Sequence, residues 1–258
     1  MKSMIFAAGL GTRLKPITDR LPKALVPVCG KPLIEHVSRK LKASGIDEAV
    51  VNVHHFADMI EDWVATQDIM PMKTSDERNM LLETGGGVFN ARRHLEGCGS
   101  FLVHNVDIIS DLDIRWLASQ VRPDAMATLL VSDRKTSRYL LFDPQTMRLV
   151  GWTNVSTSEV RSPYPDLDPD KCLRLAFSGI HVMSDAVFEV MDGYVREKGL
   201  KSGDTAPRFP IMDFYLSVCD SCEIYGVVAE DLTLVDVGKL DTLELAEKEM
   251  SRLQTKGK

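Results

Sequence analysis

The sequence predicts an α/β fold: a mixed, mostly parallel central sheet with helices on both faces and a small β-lobe. Three observations predict it. Short apolar runs alternate with amphipathic stretches over the first hundred or so residues, the pattern of strand–helix–strand units. Between Ala125 and Trp152 three β-rich runs follow one another without helices, which adds antiparallel strands or a lobe. A chain of 258 residues with 44% hydrophobic content can also bury one sizeable core. No repeat or long linker divides it, so residues 1–258 read as a single domain with halves of about 1–110 and 111–258.

The elements follow in order. Ser3 to Ala8 is a short apolar run ending at Gly9, a buried strand, and Pro32 to Ser44 is a helix whose apolar residues Leu33, Val37 and Leu41 share one face before Gly45. Glu48–Val53 reads as a strand, Ala57–Thr66 and Gly87–Leu95 as helices, and Phe101–Val106 as a strand. The β-rich runs are Ala125–Ser132, Tyr139–Phe142 and Leu149–Trp152; Thr153–Lys171, with three prolines, reads as a loop. Leu175–Val182 resumes as a strand, Ile211–Val218 as a helix, and Glu223–Val228 and Leu232–Val237 as strands. Leu240–Leu253 closes as a helix with Leu243, Ala246, Met250 and Leu253 as its buried stripe.

Composition removes several function classes. Apolar runs such as Met4–Ala8 are far shorter than the roughly 20 residues of a membrane span, and no secretory pattern opens the chain. Five scattered cysteines read as reduced thiols, so a cytoplasmic protein is expected. A net charge of −6 disfavours nucleic acid as a partner. The charge is uneven: residues 1–42 carry +7 and the remaining 216 carry −13, which makes the basic end the anion-binding candidate.

That end holds a glycine turn, Ala7-Ala8-Gly9-Leu10-Gly11-Thr12-Arg13, followed by Pro22-Lys23. Glycine backbone approaches phosphate oxygens closely, and Arg13 and Lys23 supply mobile cations. At 4 Å each charge pair is worth roughly 4 kcal/mol at an effective dielectric near 20, enough to matter for a polyphosphate. A dinucleotide fingerprint does not fit, because Leu14 stands at the third glycine position, and no Gly-Lys-Ser/Thr makes a Walker loop.

Taken together, Leu10-Gly11-Thr12-Arg13-Leu14-x-Pro16, Pro22-Lys23-x-Leu25-x-Pro27-Val28 and Gly30-Lys31-Pro32-Leu33 resemble the signature of the sugar-phosphate nucleotidyltransferases. The likeness continues at Glu83-Thr84-Gly85-Gly86-Gly87, Asn105-Val106-Asp107, Phe177-Ser178-Gly179-Ile180 and Val235-Asp236-Val237-Gly238. Within that family the look is closest to the N-acetylmuramate-1-phosphate uridylyltransferases.

The resemblance implies a Rossmann-like nucleotidyltransferase fold whose first half binds a nucleoside triphosphate and whose second half binds a sugar 1-phosphate. It implies nucleotide contacts at Ala7, Ala8, Gly9, Gly11, Thr12, Glu83, Gly85 and Gly86, sugar contacts at Asn105, Gly151 and Gly179, and Mg²⁺ on Asp107 and Asp236. Both aspartates end apolar strands, beyond which ligand sites of open α/β sheets collect, and Mg²⁺ favours one or two carboxylates with phosphate and water. Arg13 would hold the departing phosphates and Lys23 the α-phosphate while a sugar-phosphate oxygen attacks in line, with no protein nucleophile.

The chain departs from the family at three places. Val106 replaces a small residue, Leu81-Leu82 lacks the glutamine that reads uracil or thymine, and Gly151-Trp152-Thr153-Asn154 lacks a Glu-Lys sugar contact. Nucleotide, acceptor and oligomeric state therefore stay open, with uridylyl favoured and guanylyl next.

Three further signals carry bland readings. His54 and His55 are adjacent, so on a strand they face opposite ways. Cys219 and Cys222 form a lone C-x-x-C at a helix end. Asp111-Leu-Asp113 matches the metal motif of many glycosyltransferases, yet suits a cap for a helix from Ile114. Two rival functions follow: a metal-dependent glycosyltransferase using Asp111 and Asp113, and a catalytically inactive nucleotide-binding module.

Overall fold

A computed structural model describes residues 1–200 and 206–256, with side chains through Arg252. In chain order the elements are β1 (Lys2–Phe6), β2 (Pro27–Val28), β3 (Lys31–Pro32), α1 (Leu33–Ala43), β4 (Glu48–Val53), α2 (Ala57–Thr66), β5 (Met72–Asp76), α3 (Glu83–Asn90), α4 (Arg92–Leu95) and β6 (Ser100–Asn105). There follow β7 (Ile108–Ser110), α5 (Ile114–Ser119), β8 (Ala127–Ser132), β9 (Arg138–Phe142), β10 (Leu149–Asn154), β11 (Glu159–Arg161) and β12 (Leu173–Ser184). The chain ends with α6 (Val187–Glu197), α7 (Ile211–Val218), β13 (Ile224–Val228), β14 (Leu234–Asp236) and α8 (Leu240–Lys256).

The expected α/β architecture is present. β1 lies between β4 and β6 and runs parallel to both, with Phe6 level with Asn52 on one side and Asn105 on the other. Both faces of these strands are covered, so neighbouring side chains enter different cores. Ile5 and Val51 pack with Leu33, Val37 and Leu41 of α1, whereas Met4 and Val50 pack with Phe101, Phe188 and Phe214.

β12 joins the parallel part to the lobe. Its second half pairs antiparallel with β6, its first residues with β9, and β8 pairs with it on both sides of a register break between Phe177 and His181. Gly179, at φ +75°, sits in that break. Beyond it, β9, β10 and β11 form the predicted lobe as an antiparallel meander.

Several assignments differ from the sequence reading. The helix expected over Gly87–Leu95 begins at Glu83 and is interrupted after Asn90, so the three glycines lie inside α3 rather than before it. The loop expected over Thr153–Lys171 contains the end of β10 and all of β11, because backbone pairing with β9 extends the meander. β5 and α6 are additional elements: β5 is a polar edge strand, Met-Lys-Thr-Ser-Asp, without apolar alternation, and α6 runs unbroken through Gly193, a residue that disfavours a helix in sequence. In α8, Ala246 is buried with Leu243 and Met250 packed nearby, as the stripe requires, while the Leu253 side chain lies outside the described residues. No helix among the described residues is long and apolar enough to cross a membrane.

Candidate active site

The carboxyl ends of β1, β4 and β6 lie abreast, and the segments leaving them line a cleft of about 480 Å³. Its lining includes Ala7, Ala8, Gly9, Gly11, Thr12, Arg13, Lys23, Glu83, Asn105 and Asp107, ten of the residues singled out from sequence.

The glycine turn is held from below. Asn52, at the end of β4, accepts hydrogen bonds through Oδ1 from the N–H groups of Ala7 (2.7 Å) and Ala8 (3.3 Å). It donates through Nδ2 to Glu77 Oε1 at 2.8 Å, and Glu77 Oε2 accepts from the Leu82 N–H at 3.2 Å. Glu77 is 3% exposed; burial raises its pKa above the usual carboxylate value, against the pull of these two donors. The N–H groups of Gly9, Leu10 and Gly11 donate to no group among the described residues, an arrangement suited to an anion. Gly11 must be glycine: its φ is +62°, and a Cβ there would lie 2.8 Å from Thr18 Cγ2. At Gly9 a Cβ would meet nothing within 4 Å.

The two remote aspartates converge. Asp236 pairs with Ile108 in the β14–β7 ladder, and the Val237 N–H donates to the Asp107 carbonyl at 2.8 Å, so both acids emerge at neighbouring backbone positions. Lys23, 8% exposed, forms an ion pair with the Asp107 carboxylate. Asp236 is exposed along its outer edge, yet protein around the carboxyl raises its pKa, desolvation first and then the charge of Asp107; Lys23, Arg13 and Arg134 oppose the rise. A Cβ on Gly238 would lie 2.7 Å from Asp236 Oδ1 and 2.9 Å from Arg13 Nη2, so a bare backbone there lets Arg13 and Asp236 approach one another. Val106 is 3% exposed and packs into the core, so its extra bulk points largely inward.

The glycine-rich segment packs against a later stretch of the chain. The N–H groups of Gly85 and Gly86 both donate to the Phe209 carbonyl, at 2.9 and 3.0 Å. A Cβ at Gly85 would lie 2.4 Å from the Phe209 ring, and one at Gly86 2.2 Å from the Pro207 carbonyl oxygen. These glycines admit residues 207–209 and are not part of the cleft lining; Glu83 and Thr84 supply that wall. Glu83 has φ +63° and pairs with Arg208 at 2.7 Å, a strained backbone of the sort found at ligand sites. Gly179 packs its backbone against Asn105, where a Cβ would lie 2.8 Å from Nδ2. Gly151 stands apart from the cleft: a Cβ on it would be 2.9 Å from the Arg161 carbonyl and 3.0 Å from Leu167 Cδ2.

The bland readings have their partners. His54 and His55 lie just beyond the end of β4, not on a strand: His54 Nδ1 hydrogen-bonds with the Glu77 carbonyl at 2.7 Å, and the His55 ring lies against Phe56. Cys219 caps the C-terminus of α7. Asp113 caps α5, accepting from the N–H groups of Arg115 and Trp116, and Asp111 accepts from the Thr233 N–H at 2.8 Å. Both line a separate depression with Trp116, Glu230 and Asp231, not the glycine-turn cleft.

Sequence reasoning missed Asn52, Glu77 and Arg134. Asn52 alone left a trace, as the one polar residue within the apolar run Val50-Val51-Asn52-Val53.

Residues 2–140 match the nucleotidyl transferase family. The chain belongs to that family. Among relatives of this nucleotidyl transferase, the N-acetylmuramate alpha-1-phosphate uridylyltransferase of Caulobacter vibrioides is 46% identical over 111 residues, 42% of this chain and 46% of that one. The enzyme of the same name from Neisseria meningitidis is 41% identical over 115 residues, covering 44% and 49%. The chain thus spans about half the length of these curated relatives. A UDP-glucose pyrophosphorylase structure complexed with UDP-glucose superposes with a TM-score of 0.72 at 15% identity, covering 97% of this chain and 98% of that one, a likeness of fold.

Proposed function

We propose that this nucleotidyl transferase moves a nucleoside monophosphate from a nucleoside triphosphate to a sugar 1-phosphate, releasing pyrophosphate and forming a nucleotide sugar for cell-envelope or glycan synthesis or recycling. UTP is the favoured donor, GTP the next, and the cytoplasm the compartment. The observation that carries the reading is the meeting of Arg13, Lys23, Asp107 and Asp236 beside a glycine turn whose N–H groups are free.

Mg²⁺ suits this site. Asp107, in the turn between β6 and β7, and Asp236, at the end of β14, lie close enough that, after desolvation, the charge of Asp107 also raises the pKa of Asp236, and a divalent cation would relieve that repulsion. When bound, Mg²⁺ supplies charge neutralisation at the α-phosphate.

The chain's own groups do the rest. Free N–H groups of Gly9 to Gly11 and the Arg13 guanidinium receive the β- and γ-phosphates. Lys23, paired with Asp107 at the mouth of the cleft, draws the α-phosphate and the sugar phosphate together. Asn105 holds the acceptor side of the cleft. Asn52 and Glu77 fix the glycine turn before substrate arrives.

The test is pyrophosphate release from UTP, CTP, GTP, ATP and dTTP against N-acetylmuramate, N-acetylglucosamine, glucose, mannose and heptose 1-phosphates. Lys23→Ala and Asp107→Ala are expected to keep the fold and lose on the order of 100-fold or more in turnover. Near-wild-type release by either variant refutes the assignment, and nucleotide binding without turnover across the panel favours the inactive module.

A further inference from the structure

A pocket of about 340 Å³ lies between α1, β7 and α8, apart from the cleft of the glycine turn. Its walls are apolar, with Val37 on α1, Ile109 on β7 and Met250 on α8, and Lys40 and Ser110 bring polar groups into it. The other titratable groups of the lining are already engaged. His36 Nε2 hydrogen-bonds with the Val28 carbonyl at 2.8 Å, and the Asp111 carboxylate accepts from the Thr233 N–H.

Lys40 carries the nucleophile. It lies in the last turn of α1 and donates through Nζ to the Ser110 carbonyl at 2.6 Å. Lys15, Lys23, Lys31 and Lys73 all pair with carboxylates, whereas Lys40 has no carboxylate partner among the described residues. Asp111 and Asp113 act on it only as more distant charges. They do not offset its loss of solvent, which lowers the amine's pKa from 10.5 to about 8. About a quarter of such an amine is neutral at about pH 7.5, against ~0.1% of an ordinary lysine, and only the neutral form attacks a carbonyl carbon.

Ser110 leaves the pocket incomplete. The residue is 7% exposed, its carbonyl receives the Lys40 amine, and its Oγ has no partner among the described residues. A buried hydroxyl in that state forfeits the hydrogen bond it makes to water in the unfolded chain. An amide formed on Nζ completes the arrangement. Its N–H keeps the bond to the Ser110 carbonyl, its oxygen accepts from Ser110 Oγ, and its alkyl part lies among Val37, Ile109 and Met250. An acyl group with a carboxylate of its own would meet Asp111 in the same lining, which restricts the group to a small uncharged one.

We propose that Lys40 is a modification site, acylated by a small activated acyl donor, an acyl phosphate or an acyl thioester, with Ser110 Oγ holding the acyl oxygen. The Nζ lone pair attacks the acyl carbon and forms a C–N bond. The C–O bond to phosphate, or the C–S bond to the thiol, breaks, and its electron pair leaves with phosphate or thiolate. The amine proton passes to water, and a cationic side chain becomes a neutral amide. The charge disappears beside the β7–β14 ladder, which starts next to Asp107 and ends in Asp236.

The full chain is incubated at about pH 7.5 with acetyl phosphate or, separately, with S-acetyl-N-acetylcysteamine, and acetylation is followed by mass spectrometry after cleavage at glutamate. The segment from His36 to Glu48 carries Lys40 and the exposed Lys42 and no other lysine, so fragments of one peptide give both rates. With at least one donor Lys40 is expected to react about tenfold or more faster than Lys42, and the two donors tell which leaving group the pocket admits. Ser110→Ala removes a hydroxyl that has no partner, so it keeps the fold; it is expected to slow Lys40 about fivefold or more and leave Lys42 unchanged. A Lys40 rate no faster than that of Lys42 with both donors, or one untouched by Ser110→Ala, overturns the proposal.

Discussion

His181→Phe should make the protein less sensitive to acid, by an amount the structure sets. The imidazole lies on β12, 1% exposed, with its centroid 5.4 Å from the Phe177 ring and 5.9 Å from Tyr215. Neither ring nitrogen has a partner among the described residues. Burial alone holds its pKa down to about 3 from the ordinary 6.5. A base whose pKa falls on folding binds fewer protons in the native state. The stability this permits is complete above 6.5 and is lost as pH drops toward 3.

At about pH 5 the unfolded imidazole is almost wholly protonated and the native one almost wholly neutral, a loss of roughly 2 kcal/mol relative to neutral pH. Phenylalanine removes the titration. Its larger ring carries a packing cost, but that cost is the same at both pH values and cancels. His104, also buried with its pKa lowered to about 4, is common to both proteins and cancels as well. Urea unfolding of both proteins at about pH 7.5 and about pH 5 provides the measurement. Wild type should lose about 2 kcal/mol more than the variant; losses equal within ~0.5 kcal/mol would mean that the buried ring takes up its proton without unfolding.

Gly86→Ala forces a methyl group to within 2.2 Å of the Pro207 carbonyl oxygen, so residues 207–209 must shift; a loss of about 2 kcal/mol or more is expected, and an unchanged melting temperature would show that the segment yields freely. Glu77→Gln turns an amide N–H₂ toward a donor, either Asn52 Nδ2 or the Leu82 N–H. It should cost about 1–3 kcal/mol in urea unfolding and raise KM for the nucleotide; no change in either contradicts the clamp beneath the glycine turn. Asp113→Ala should lower stability by about 1 kcal/mol through loss of the α5 cap and leave pyrophosphate release intact, whereas lost turnover would return Asp113 to a metal-binding role.

What was legible in the sequence was what local periodicity encodes. β4, α2 and α7 match their expected bounds to the residue because each is an apolar run or stripe ended by its own flanking residues. The first cleft was legible through short motifs, since Ala7 to Arg13 form one turn and Lys23 follows it closely along the chain. Features that depend on distant partners were not. Gly85 and Gly86 are glycines because Phe209 and Pro207 pack on them, a contact spanning more than a hundred residues that no window contains. Arg134, Arg138 and Arg161 read as ordinary surface charges along the chain, and only the folding of β9 to β12 gathers them around a separate cleft beside α7. Gly151 drew attention through its place near an expected sugar contact, while its neighbours Trp152 and Arg161 on the opposite face line that cleft.

The break in β12 has a consequence for how such a protein diversifies. Because one strand serves two sheets, with its register interrupted at Gly179, the segment from Asp133 to Phe177 can accumulate insertions or exchanges without altering how His181 to Ser184 pair with their neighbours. A chimera that takes this stretch from another member should inherit that member's acceptor preference and retain its own choice of nucleotide, making the lobe an exchangeable cassette on a constant base.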